Sequence, residues 1–307
     1  MRGRPAISIK RLLRRGGALS AIAIMLGSLS ITQGATADTL VHVSEGGNGT
    51  YLALGDSVAF GYTPPAVTTL AQYENPNNFV SYANYVASSL NLKLTNASCP
   101  GETTLSMIDP LAISNGCENS LGQPPGYRTY FPLHVQYSGS QLAYAVGYLK
   151  SHPHTRLVTI DIGANDAFVC QAITEDFCTS PSEFKAVLDS VSTNLATIYS
   201  AIRNQAHYHH ALVALDYYST SYTNQAQVAL TEALNSAIIQ PTLAAGGLVA
   251  NGFSAFEVAS QSYGGNPCAA GLLIKLPTGR CNIHPTLLGH QVLAQAVIGA
   301  LAGHHSQ

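Results

Sequence analysis

The chain has 307 residues, 46% of them hydrophobic, with 14 Lys and Arg against 16 Asp and Glu. That length suffices for one large core, and no collagen-like, low-complexity or repeat pattern interrupts it. Six of the basic residues (Arg2, Arg4, Lys10, Arg11, Arg14 and Arg15) lie at the very start, so the remainder carries a net charge of about −8 and is not drawn electrostatically to nucleic acid or anionic membranes.

In chain order, the basic leader runs into an apolar stretch, Gly16 to Ile31, and then into Ala35-Thr36-Ala37. This is the order of a secretory signal, with cleavage expected after Ala37. The apolar run is shorter than the roughly 20 residues of a membrane span and is broken by Ser and Gly. Residues 1–37 are therefore read as a signal peptide and residues 38–307 as one secreted, monomeric domain without stable membrane insertion. Its six cysteines allow fifteen connectivities. In an exported chain, short sequential loops favour Cys99–Cys117, Cys170–Cys178 and Cys268–Cys281.

The first element after the leader is a buried strand, Thr50 to Gly55. A helix follows from Phe79 to Leu90, then a short strand in "LKLTNAS", a helix from Ser140 to Ser151 and a strong strand from Arg156 to Gly163. Ser180 and Glu183 fit a capping box, with Pro181 at the first position of a long helix. Ala211 to Tyr218 is a fourth strand. Gln225 to Ile239 is a helix stopped by Pro241, and "GLVANGFSAF" is a candidate fifth strand. The last helix runs from Thr286 to about Leu301, with Leu288, Val292 and Ala296 on one face. Strands alternating with helices predict an α/β fold, a parallel sheet covered on both faces. In such sheets, sites form where the carboxyl ends of strands run into loops.

Four segments occupy such places. "LGDSVAFG" puts Ser57 just past the first strand, and "NASCPGETT" puts Gly101 past the second. "DIGANDAF" puts Asn165 on a loop past the third, and "NIHPTLLGH" puts His284 ahead of the last helix. A serine hydroxyl needs a base to become a nucleophile, and the oxyanion it generates needs donors placed in advance. A serine, a histidine, an amide and an exposed glycine N–H are those parts. Asp56 and Asp166 read as structural acceptors of loop N–H groups. His290 is the alternative base, but it falls inside the helix. His207, His209 and His210 read as a helix-end cluster rather than a metal site. Residues 59–69 and 124–139, rich in Tyr, Phe and Pro, are candidate substrate-facing loops, with ordinary loop packing the favoured reading. Asn48-Gly-Thr and Asn96-Ala-Ser are glycosylation sequons.

The ordered set Gly55-Asp56-Ser57, Gly101, Gly163-Ala164-Asn165-Asp166 and His284-Pro285 resembles the GDSL, or SGNH, hydrolases, and in particular their secreted actinobacterial-type esterases and lipases. The resemblance implies a flavodoxin-like three-layer α/β/α sandwich with a five-stranded parallel sheet. It also implies Ser57 as nucleophile, His284 as base, and an oxyanion hole from the backbone N–H groups of Ser57 and Gly101 and the amide of Asn165. No cofactor or metal is implied. The substrate that the resemblance implies is a small-molecule or lipid carboxylic ester. Carbohydrate acetylesterase, phospholipase and a catalytically silent binding protein on the same fold are the alternatives. Many members carry Asp three residues before the histidine, where this chain has Cys281. A backbone carbonyl near Cys281 is the expected partner of His284 Nδ1, with carboxylates of Asp216 or Glu257 as rivals.

Overall fold

A computed structural model describes residues 49–304; the expected signal peptide, its expected cleavage point and Asn48 of the first sequon lie outside the described residues. Strand β1 (Thr50–Gly55) is buried almost throughout and ends at the one-turn helix α1 (Ser57–Phe60). After α2 (Leu70–Tyr73), helix α3 (Tyr82–Ser89) begins with a true capping box: Ser81 Oγ accepts from Ala83 N–H, and Asn84 Oδ1 accepts from Ser81 N–H. Strand β2 (Lys93–Asn96), α4 (Tyr127–Tyr130), α5 (Gln141–Ser151) and β3 (Thr155–Asp161) follow. Helices α6 (Ala164–Ile173) and α7 (Pro181–Ser200) lead to β4 (Ala211–Leu215), and α8 (Gln225–Ala244) leads to β5 (Leu248–Ala250). The chain closes with α9 (Gly252–Ser260), an antiparallel pair β6 (Leu273–Lys275) and β7 (Cys281–Pro285), and α10 (Leu287–His304).

The five parallel strands lie in the order β2-β1-β3-β4-β5, flanked by helices as a three-layer α/β/α sandwich. One core spans the sheet and the helices against it, from Leu52 and Ile160 to Tyr82, Tyr199 and Leu293. The direction of winding reverses between β1 and β3, which opens a crevice at their carboxyl ends. Register pairs Gly55 with Asp161 there. Gly55 has φ +132°, and a Cβ at it would stand 2.0 Å from Asp161 O, so only glycine lets the two strand ends come this close. No helix among the described residues is long and apolar enough to cross a membrane.

Several elements depart from the sequence reading, some through a competing local hydrogen bond and some through a tertiary contact. Helix α8 does not stop at Pro241 but runs through it to Ala244. One backbone bond is lost so near the end, while Thr242 Oγ1 bonds both Ile238 O and Tyr199 OH and Gly247 N–H closes onto Thr242 O. Only Leu248–Ala250 of the fifth strand forms, because Asn251 Oδ1 accepts Ser254 N–H and starts α9. Ser180 makes no side-chain cap; Asp176 takes up its N–H instead, although Pro181 does open α7. In α10 the buried face is His290, Leu293, Ala294 and Val297, while Leu288 is exposed. Gly289 sets that rotation by lying against Leu272 O, 2.3 Å from where its Cβ would be.

Candidate active site

Ser57 is the first residue of α1, and Asp56 caps that helix by accepting Val58 N–H at 2.9 Å. The cap turns the chain sharply from a buried strand into a helix, leaving Ser57 partly exposed between buried neighbours. His284 comes from the other end of the sequence, on β7, which the β6 pairing and the Cys268–Cys281 disulfide hold in place. Its Nε2 lies 2.9 Å from Ser57 Oγ.

The partner of His284 Nδ1 is neither a backbone carbonyl near Cys281 nor a carboxylate. It is the side-chain oxygen of Asn282, which also accepts His284 N–H at 3.1 Å. An Asn side chain bonding the backbone two residues on is a local turn preference, so "NIH" carried this signal and only its use on the ring was unseen. A neutral amide oxygen accepts Nδ1–H and leaves Nε2 free to accept the Ser57 hydroxyl proton. Without a charged partner, burial alone acts on the ring and pushes its pKa down to about 4. Asp216 instead takes up Phe253 N–H at 2.9 Å, and Glu257 is exposed on α9; neither bonds His284. His290 is buried inside α10 and does not bond Ser57.

Asn165 lies not on a loop but in the first turn of α6, next to the β1–β3 crevice. Its Nδ2 donates to Asp56 Oδ2 at 3.1 Å and its Oδ1 accepts from Asn115 Nδ2 at 2.8 Å, so acceptor and donor on either side fix which end is the amide nitrogen. Asn115 N–H in turn donates to Gly101 O at 2.8 Å. Gly101 has φ +84°, and a Cβ there would lie 2.5 Å from Asn115 O. The Cys99–Cys117 disulfide closes the loop that carries Gly101 and Asn115. The sequence reading missed Asn115, because nothing local marks a residue whose partner is 50 positions away. Among the described residues, the N–H groups of Ser57 and Gly101 have no protein acceptor.

Beneath the site lies a cluster of buried acids. Asp56 Oδ2 also accepts Tyr217 OH at 2.6 Å, and Asp161 stands beside it with one oxygen unpartnered. Burial pushes both carboxyls upward, and the charge of Asp56 raises Asp161 further. Asp166 accepts both Thr104 N–H at 2.9 Å and Thr104 Oγ1–H at 2.5 Å, and burial raises it to about 6. Both acids thus accept N–H groups, as expected, and Asp56 in addition holds Asn165. The Asn96 sequon is structural: the buried amide donates to Ala59 O and accepts from Ser98.

Two surroundings meet at Ser57 and His284. Residues 59–69 and 124–139 pack with Tyr73 and Phe79 as an aromatic cluster, with Phe60, Tyr73 and Phe79 buried and the Tyr62 ring tilted at 4.9 Å from the His284 ring. A cavity of about 600 Å³ also opens at Ser57 and His284, lined chiefly by α6, α7 and α8 and by the loop that the Cys170–Cys178 disulfide closes. No residue of the aromatic cluster lines it.

The sequence profile of the GDSL-like lipase/acylhydrolase family matches residues 53–292, and the chain belongs to that family. Among solved structures it is similar to phospholipase A1 from Streptomyces albidoflavus NA297, with 19% identity, 82% of this chain and 99% of that one covered, and a TM-score of 0.53. It is also similar to the lipase Lip_vut3 from a goat rumen metagenome (15% identity, 82% and 96% covered, TM-score 0.50). A catalytic mutant of Axe2, an acetylxylan esterase from Geobacillus stearothermophilus, matches with 15% identity, 83% and 95% covered and a TM-score of 0.50. At these identities the likeness is one of fold. Comparison with curated proteins finds no match.

Proposed function

We propose that the protein is a secreted serine hydrolase that cleaves carboxylic esters through an acyl-enzyme on Ser57. The observation that carries this reading is the 2.9 Å contact between Ser57 Oγ and His284 Nε2 at the edge of a cavity large enough for a substrate. His284 takes the Ser57 proton as Oγ attacks the ester carbonyl, and Asn282 accepts Nδ1–H while the ring is cationic. The carbonyl oxygen becomes an oxyanion facing the N–H groups of Ser57 and Gly101 and the second Nδ2 hydrogen of Asn165, the first being held by Asp56. His284 then protonates the leaving alcohol, and water repeats both steps on the acyl-enzyme. Asn115 and Asp56 act by positioning Asn165.

Secretion is supported by the leader and by three disulfides on loops around the site, which persist in oxidising compartments. On this reading residues 38–307 form one monomeric hydrolase domain. A panel of nitrophenyl esters of increasing acyl length, run with wild type and Ser57→Ala, tests the assignment. Loss of hydrolysis in Ser57→Ala on every ester is expected; equal rates in the two proteins would sink it.

A further inference from the structure

Resting on that reading, we propose that the acyl group carried by Ser57 is an unbranched chain of about eight carbons, lodged in the cavity between α7 and α8. The acyl carbonyl must sit at Ser57 Oγ, so whatever follows it enters the space that opens there. That space measures about 600 Å³, the liquid volume of roughly twenty waters, and an acetyl group would leave most of it wet.

The lining selects the occupant. Phe168, Phe177, Phe184, Leu230 and Leu234 face the cavity, and no lysine or arginine does, so a phosphate or carboxylate on the bound chain would find no cation. Phe177 and Leu230 are 72% and 50% exposed, an apolar rim that gains only when something apolar covers it. The length follows from α8. Gln227, Leu230, Thr231 and Leu234 present one helical face to the cavity over seven residues, about 10.5 Å at 1.5 Å each. An extended chain advances roughly 1.2 Å per bond, so that face accommodates eight to nine bonds.

Direction follows as well. Leu234 is the buried end of this face, and its neighbour Asn235 bonds the backbone of Tyr217, whose hydroxyl bonds Asp56 beside Ser57. The carbonyl end therefore lies at Leu234, and the tail runs toward Leu230 and the rim.

The test measures kcat/KM for nitrophenyl acetate and nitrophenyl octanoate, at monomeric concentrations, in four proteins. Each buried methylene is worth about fourfold at most, so wild type is expected to favour octanoate by roughly 10² or more. Leu230→Glu, on the exposed rim, is expected to lower the octanoate-to-acetate ratio at least tenfold, because the tail then meets a charge. Leu243→Glu, equally exposed on α8 but outside the cavity, leaves the ratio unchanged. Ser57→Ala reports separately on the nucleophile: activity retained there would defeat the underlying reading. Acetate cleaved as well as octanoate by wild type, or a ratio indifferent to Leu230→Glu, with Ser57→Ala inactive, would overturn the acyl assignment alone.

Discussion

The rings of Phe60, Tyr73, Phe79, Tyr127 and Phe131 meet one another at centroid separations of 5.0 to 6.1 Å and leave no room between them. Phe168, Phe177 and Phe184 make no ring contact with any aromatic residue among those described, and they border about 600 Å³ of open space. Both regions adjoin the Ser57–His284 pair, and both are rich in aromatic residues. The difference lies in what covers each ring. In the first region the partner is another ring of the same protein, which stabilises the fold. In the second, on the proposed reading, the partner is the substrate. Aromatic content near a nucleophile therefore does not identify a substrate site; an unfilled partner position does.

The largest effect that sharpens this contrast is on stability. Phe79→Ala removes a buried ring with two ring partners and is expected to cost about 3–5 kcal/mol in chemical denaturation. Phe184→Ala, half-buried on the cavity wall, is expected to cost under about 1.5 kcal/mol while weakening octanoate relative to acetate. Equal destabilisation by the two would erase the distinction.

Asn165 stands where the regions meet, tied to the packed loop through Asn115. Asn165→Ala is expected to lower turnover by roughly 10²–10³ with little change in KM, the usual effect of losing one oxyanion donor. A raised KM at constant turnover would make Asn165 a ground-state binding residue instead.

The disulfides divide in the same way. Cys99–Cys117 is fully buried within the aromatic cluster, whereas Cys170–Cys178 closes a shorter loop at the cavity. Paired Ser substitution is expected to cost about 3–5 kcal/mol at the first and about 2–3 kcal/mol at the second. A larger loss at Cys170–Cys178 would contradict the packing account.

The smallest expected effect is a shift in pH dependence. His284 must be neutral to accept the Ser57 proton, so it works above its own pKa, which burial holds at about 4. The rate is therefore expected to stay level from pH 8 to about pH 5 and to fall tenfold per unit below pH 4, not from 6.5 as for a free histidine. Asn282→Asp places a negative charge at Nδ1, favours the imidazolium and moves the acid limb upward by a unit or more. An acid limb already at 6.5 in wild type would mean that His284 is more hydrated than the structure has it.

The strand ends were legible because each carries its signal locally. The apolar run 50–55 stops at a Gly-Asp-Ser turn, and the order of strands and helices demands a parallel sheet with sites at its carboxyl edge. Ser57 and His284 could be named for the same reason, and the structure brings them into contact. What escaped depends on distant partners. Pro241 reads as a stop until Tyr199 anchors Thr242 beyond it, and the face of α10 depends on Gly289 meeting a carbonyl from a loop. Asn115 has no local mark at all. Asn282 lies between, since its turn was readable and its bond to the ring was not. The cavity wall escaped because α6, α7 and α8 contribute one or two residues per turn, and only the fold gathers them.

The central claim is that Ser57 is the group acylated. A nitrophenyl alkylphosphonate, which transfers its phosphonyl group to an activated serine and releases nitrophenol, tests this without relying on any rate. Intact mass followed by peptide mapping is expected to show one phosphonyl group per chain, on the peptide carrying Gly55-Asp56-Ser57, and none in Ser57→Ala. A stoichiometric adduct on another residue, or no adduct in a folded wild-type protein, would contradict the account.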